Sequence, residues 1–205
     1  MSLDPKKSVQ IETHNLWPTP LWICNLAKNT RQERKVSLND DLISYIKGDI
    51  ETNPKSAQKS NRGGWQSTPD LHKKGIVDEL GQDIYSVCKA IFPHIKKMKV
   101  EQMWAAVNFK DNWNSLHCHG GHYCLSGAYY LQVPENSGRL ALRDPRPGAI
   151  NNVWSSFMID KGDYSWYTPK ESDLMLWPPF LDHMVEPSNS DDPRIMISFD
   201  LNFNV

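Results

Sequence analysis

Apolar and polar positions recur with a different period in each half of the chain. Between residues 37 and 50, Leu38, Leu42, Ile43 and Ile46 return at helical spacing, which predicts a helix with Ser37 as its candidate N-cap. The same spacing links Ile76, Val77, Leu80, Ile84, Val87 and Ile91, with polar residues between them. It predicts a second helix over 76–92 that Pro93 ends. Ahead of both, residues 16–26 read LWPTPLWICNL, an apolar run whose prolines suit an edge strand better than a central one. Residues 53–64 are polar and turn-rich and read as a surface loop.

After Val100 the pattern becomes one of short β-like runs, at 103–109, 123–133, 139–143, 173–177, 183–186 and 194–203. Turn-rich segments separate them, notably PENSG at 134–138 and DPRPG at 144–148. Short strands following two helices predict a mainly β fold, an antiparallel barrel or sandwich with helices on one side. A chain of 205 residues can bury its core as one domain. We expect about 1–100 to supply an N-terminal strand and helices that pack on a core formed by about 101–205.

Composition supports this reading and narrows the partners. Most of the eight tryptophans and seven tyrosines lie from Trp104 onward, as a β-rich body requires. The net charge of -1 and the scattered basic residues argue against nucleic acid as a partner. The apolar stretches fall short of the roughly 20 residues of a membrane-spanning helix. Met1 to Gln10 is mostly polar and carries no secretory signal pattern, and Cys24, Cys88, Cys118 and Cys124 form no CxxC pair. Reduced thiols in the cytoplasm are the expectation.

The candidate chemistry lies in the histidines. His117, His119 and His122 fall within one hexapeptide, and His183 follows much later. In an extended segment His117 and His119 project to one face while Cys118 faces away, so both can reach one metal. His122 follows two glycines and reads as a loop residue. A local pair with a remote third ligand is the arrangement of metal sites that keep coordination positions open. A histidine-rich surface loop beside an unrelated buried His183 is the plainer alternative.

Arg194 opens the alternating run RIMISF, which places Arg194, Met196 and Ser198 on one face. Facing inward, Arg194 calls for an anion, and a carboxylate would bind it through two parallel hydrogen bonds, with Ser198 as a further donor. Facing outward on an edge strand, it would pair with Asp191 or Asp192.

Taken together these residues resemble the 2-oxoglutarate and Fe(II)-dependent oxygenase superfamily. The similarity extends to a branch found in phages and marine bacteria, through the segments GGWQS at 63–67 and SGAYYLQVP at 126–134. The resemblance implies a double-stranded β-helix (jelly-roll, cupin-like) barrel with flanking N-terminal helices. It also implies Fe(II) and 2-oxoglutarate as cofactors, and a substrate that is a small molecule or a protein side chain.

In that superfamily a His-x-Asp or His-x-Glu pair and a distal His bind iron, and an Arg about ten residues further on binds the far carboxylate of 2-oxoglutarate. His117, His183 and Arg194 match these positions, and Tyr130 and Ser198 match residues beside the cosubstrate. Asn108 is a further candidate for contact with it. The chain departs from the pattern at His119, which stands where the superfamily carries an acid, so the third ligand is His119, a water, or a carboxylate such as Asp144. Trp104, Tyr123 and Trp177 are candidates to line the substrate pocket. The competing readings are a non-catalytic cupin-like metal-binding or ligand-binding module and a zinc hydrolase, which lacks an HExxH base.

Overall fold

The computed structural model describes residues 12, 14–29, 32–150 and 163–204. The polar stretch Met1 to Gln10 lies outside the described residues. The first half contributes β1 (Trp22–Asn25), α1 (Leu26–Asn29), α2 (Gln32–Thr52), β2 (Asn61–Arg62), β3 (Trp65–Gln66) and α3 (Asp78–Ile91). The second half contributes β4 (Lys97–Asn108), β5 (Trp113–His117), β6 (Leu125–Gln132), β7 (Leu140–Arg143), α4 (Pro147–Ile150), β8 (Tyr164–Tyr167), β9 (Asp173–Trp177), β10 (His183–Val185) and β11 (Arg194–Asn204).

The strands form two antiparallel sheets, a larger one ordered β1-β9-β6-β11-β4-β3 and a smaller one ordered β2-β5-β10-β7-β8. This is the expected jelly-roll. β11 runs between β4 and β6, with Met196 opposite Ala106 and Tyr130, and Ser198 opposite Trp104 and Ala128. Its two-residue period divides the core in two. Ile195, Ile197, Phe199 and Leu201 pack outward against Leu38, Leu42 and Ile46 of α2 and Leu80, Ile84 and Cys88 of α3. Met196 faces the opposite way, with Ala106, Ala128, Tyr130 and Leu140, into the space between the sheets. α2 is pinned to the larger sheet by the Tyr129 hydroxyl, which donates to Asn39 Oδ1 at 2.8 Å.

Three expectations need correction. Ser37 is not a cap, because α2 starts at Gln32; Gln, Glu, Arg and Lys are all good helix formers, so nothing in the preceding residues stops the helix. The run 53–64 is not only a surface loop, since Asn61 is buried and pairs with Asn114 at the edge of the smaller sheet. DPRPG leads into the short helix α4, whose first residue is the proline a helix start accepts. Strands β5 and β8 were not predicted, because polar residues interrupt their apolar pattern. The 16–26 run does supply an edge strand, β1 on β9, and α3 ends before Pro93 as expected. Among the described residues no helix is long and apolar enough to cross a membrane.

Gly127 permits the close approach of β6 to its neighbours. A Cβ there would sit 2.7 Å from Leu176 Cδ2, from the Met175 carbonyl oxygen and from Phe199 Cζ. Backbone cannot yield as a flexible side chain can. We expect Gly127→Ala to lower the urea midpoint, at a cost of about 1–3 kcal/mol.

Candidate metal centre

His117 ends β5 and His183 opens β10, and the two are register partners in the smaller sheet, with ring centroids 4.2 Å apart. His119 lies two residues beyond the end of β5. Its backbone N–H donates to Pro179 O at 2.9 Å, which ties it to the turn that leads into His183. Its ring centroid lies 5.5 Å from that of His117 and 5.1 Å from that of His183. One ring nitrogen from each of the three lies within 4.8 Å of the others. Cys118 and His122 are exposed.

The hydrogen bonds select the nitrogens. Nδ1 of His117 donates to Ser115 O at 2.8 Å, Nδ1 of His183 to Leu181 O at 2.9 Å, and Nδ1 of His119 to Asp200 Oδ1 at 2.6 Å. Nε2 of each ring is therefore the nitrogen left with a lone pair for a metal. Burial, helped by the neighbouring imidazoles, pushes His183 down to about 3, and burial also lowers His117. Both rings are thus neutral at physiological pH, as ligands must be.

Arg194 is 1% exposed. Its Nη1 donates to Gly138 O at 3.1 Å, whereas its Nε and Nη2 have no partner among the described residues. The Gly138 carbonyl is presented by a backbone at φ 88°, and a Cβ there would strike Glu186 O at 2.4 Å, so the turn requires glycine. The burial of Arg194 excludes the surface alternative, and of the two acids offered there Asp191 pairs with Lys110 at 2.7 Å. A buried guanidinium with two open donors is costly unless an anion arrives to meet them. Tyr130 is fully enclosed beside it; burial raises its phenol, and the positive charge of Arg194 opposes that rise.

Tyr130, Met196 and Ser198 line a cavity of about 500 Å³ that also reaches His117, His119 and His183. Trp104, Tyr123 and Trp177 line it as well, and residues 57, 59 and 60 form part of its wall. Asn108 is not among the lining residues; its amide donates to Asn114 Oδ1 at 3.0 Å. Asp144 does not reach the histidines, because Arg146 holds it at 2.6 Å.

The sequence reading missed Asp200, Ser126 and Gln102. Asp200 is fully buried and accepts from His119, from the Ser126 hydroxyl and, at 2.5 Å, from Gln102 Nε2. The signal was available: Asp200 continues the inward parity of Arg194, Met196 and Ser198, where an acid is out of place without a partner.

Three imidazoles thus converge on one side of the cavity, and the buried Arg194 lies on β11 behind the lining residues Met196 and Ser198, a set of groups that could hold a metal and an anionic organic ligand. Known proteins share parts of this arrangement. Residues 102–200, which contain all of these groups, match the model of a family described as "Putative 2OG-Fe(II) oxygenase". A viral collagen prolyl hydroxylase from Paramecium Bursaria Chlorella virus-1, solved with 2OG, is 16% identical, with a TM-score of 0.54 over 81% of this chain and 90% of that one. A prolyl hydroxylase from Trichoplax adhaerens, solved with a peptide of hypoxia inducible factor, is 14% identical, with a TM-score of 0.61 over 88% and 82%. HygX from Streptomyces hygroscopicus, solved with nickel and 2-oxoglutarate, is 10% identical, with a TM-score of 0.57 over 90% and 82%. At these identities the likeness is one of fold. No curated protein matches the sequence. The segment that carries the three histidines and Arg194 thus matches the 2OG-Fe(II) oxygenase family model, and most of the chain shares the fold of these solved oxygenases.

The depressed His183 makes acid sensitivity a direct expectation. Its unfolded-state value is near 6.5 and its folded value about 3, so the unfolded chain binds the extra proton between those limits. Stability is therefore full above 6.5 and declines as pH falls toward 3, with a slope of up to about 1.4 kcal/mol per pH unit from this group. Urea unfolding of the metal-free protein from pH 7 to pH 4 should show this decline, and His183→Gln should flatten it.

Proposed function

We propose that this protein is a 2-oxoglutarate- and Fe(II)-dependent dioxygenase in which His117, His119 and His183 hold the metal. Arg194 anchors the distal carboxylate of 2-oxoglutarate, flanked by Tyr130 and Ser198. The observation that carries the reading is the pair of open donors on the buried Arg194, at an inward position of the same strand that borders the histidines. Planar guanidinium donors match a carboxylate bidentately. Three imidazoles suit Fe(II), and their Nδ1 hydrogen bonds hold the rings in place for it.

Iron with 2-oxoglutarate and dioxygen supplies substrate oxidation coupled to decarboxylation of the cosubstrate to succinate. The chain contributes placement and shelter. Arg194 fixes one end of the cosubstrate, and the inward apolar side chains Met196, Ala106 and Leu140 exclude water between that anchor and the histidines. Trp104, Tyr123 and Trp177 form part of the wall against which a substrate is oriented. Asn108 donates to Asn114 and does not line the cavity, so it is not assigned a contact with the cosubstrate. Its relatives' prolyl substrates make a protein side chain one candidate substrate, and a small molecule is the other. The free thiols Cys24, Cys88, Cys118 and Cys124 suit a cytoplasmic setting. Nothing in the fold favours a non-catalytic module.

Anaerobic Fe(II) plus 2-oxoglutarate should give a weak visible charge-transfer band that His183→Ala abolishes. Arg194→Ala should retain Fe(II) but weaken 2-oxoglutarate at least about thirtyfold, the scale of losing one partner of a buried charge pair. Absence of the band, with no succinate formed in air, would sink the reading.

A further inference from the structure

We propose that Asp200 is a positioning residue of the metal centre: through His119 it supplies the negative charge that the site's three imidazoles lack. The proposal rests on the three-histidine reading above. The three rings are not equivalent. His117 and His183 spend their Nδ1 protons on backbone carbonyls, and His119 alone spends its proton on a carboxylate, at 2.6 Å. A carboxylate so placed polarises the imidazole and makes its far nitrogen a stronger donor to a metal.

The surroundings of Asp200 support this role. It has no exposure, and its partners are His119, Ser126 and Gln102. Among the described residues no lysine or arginine forms an ion pair with it. A buried carboxylate whose only contact with a possible cation is the His119 ring gains further balance from a metal ion on the far nitrogen of that ring.

Register keeps the carboxylate aimed. Asp200 stands opposite Gln102 on β4 and opposite Ser126 on β6, and both neighbours donate to it, leaving the remaining contact on Oδ1 for His119. The charge thus sits one imidazole away from the metal instead of on it. A metal held by the three rings would keep its other positions for cosubstrate while the site carries a compensating anion.

Co(II), stable in air, is the probe. Asp200→Asn keeps the shape and removes the charge, and the Gln102 amide can turn to meet it. Its Co(II) affinity should fall roughly tenfold to hundredfold against wild type. In a His119→Ala background the same substitution should change affinity by less than about twofold, because the path to the metal is already cut.

Proton NMR of the Co(II)-loaded wild type should show three exchangeable shifted signals, one per Nδ1–H, of which Asp200→Asn moves one. Should Asp200→Asn not fold, Ser126→Ala leaves the carboxylate in place and should move that same signal alone. Wild-type affinity in Asp200→Asn, an equal loss in the His119→Ala background, or a Ser126→Ala spectrum unchanged from wild type overturns the role of Asp200 while leaving the metal centre standing. Failure of the wild type to bind Co(II) in a His183-dependent way overturns both.

Discussion

Strand β11 is bonded along its length to β4 and over most of it to β6, and a two-residue period leaves it no choice over which side chains face the cavity. Ile195, Ile197, Phe199 and Leu201 go to the helices, while Arg194, Met196, Ser198 and Asp200 go inward. A slip by one residue would put two charges into the helix-packed core and four large apolar groups into the site. The apolar face therefore locks the register, and the register places the chemistry. Stability and function are set by one constraint because they occupy opposite faces of one strand.

That strand carries two buried charges of opposite sign, held apart by Met196 and Ser198. Arg194 has donors to spare, and Asp200 is saturated by its hydrogen bonds. The first is open to an anion, and the second already holds the His119 ring. Their separation matters, because side by side they would neutralise each other and leave nothing for a cosubstrate or a cation. The neutral histidines complete the balance. Burial keeps His117 and His183 uncharged, so their lone pairs stay available.

The first half of the chain serves this arrangement from outside. α2 and α3 cover the outer face of the larger sheet, and β1 and β3 extend its two edges. β2 is paired to β5, the strand that carries His117, and the residues just ahead of it form part of the cavity wall. Support and enclosure thus come from the same stretch of chain.

Periodicity was enough to find both helices, six of the strands and the shared face of Arg194, Met196 and Ser198, because each depends on residues adjacent in sequence. It was also enough to pair His117 with His119, although β5 itself was missed under its polar residues. Whether Arg194 faced a surface acid or a cavity could not be read locally, since the answer depends on β4 and β6 closing over it and on Lys110 occupying Asp191. The same holds for His183, which reaches His117 only through the pairing of β10 with β5. His119 shows the division most clearly. Sequence made it a ligand candidate standing where an acid was expected, and tertiary structure sets the carboxylate of Asp200, far along the chain, against its ring. Local pattern determines which way a side chain points; what it meets there is decided by strands that only the folded sheet brings together.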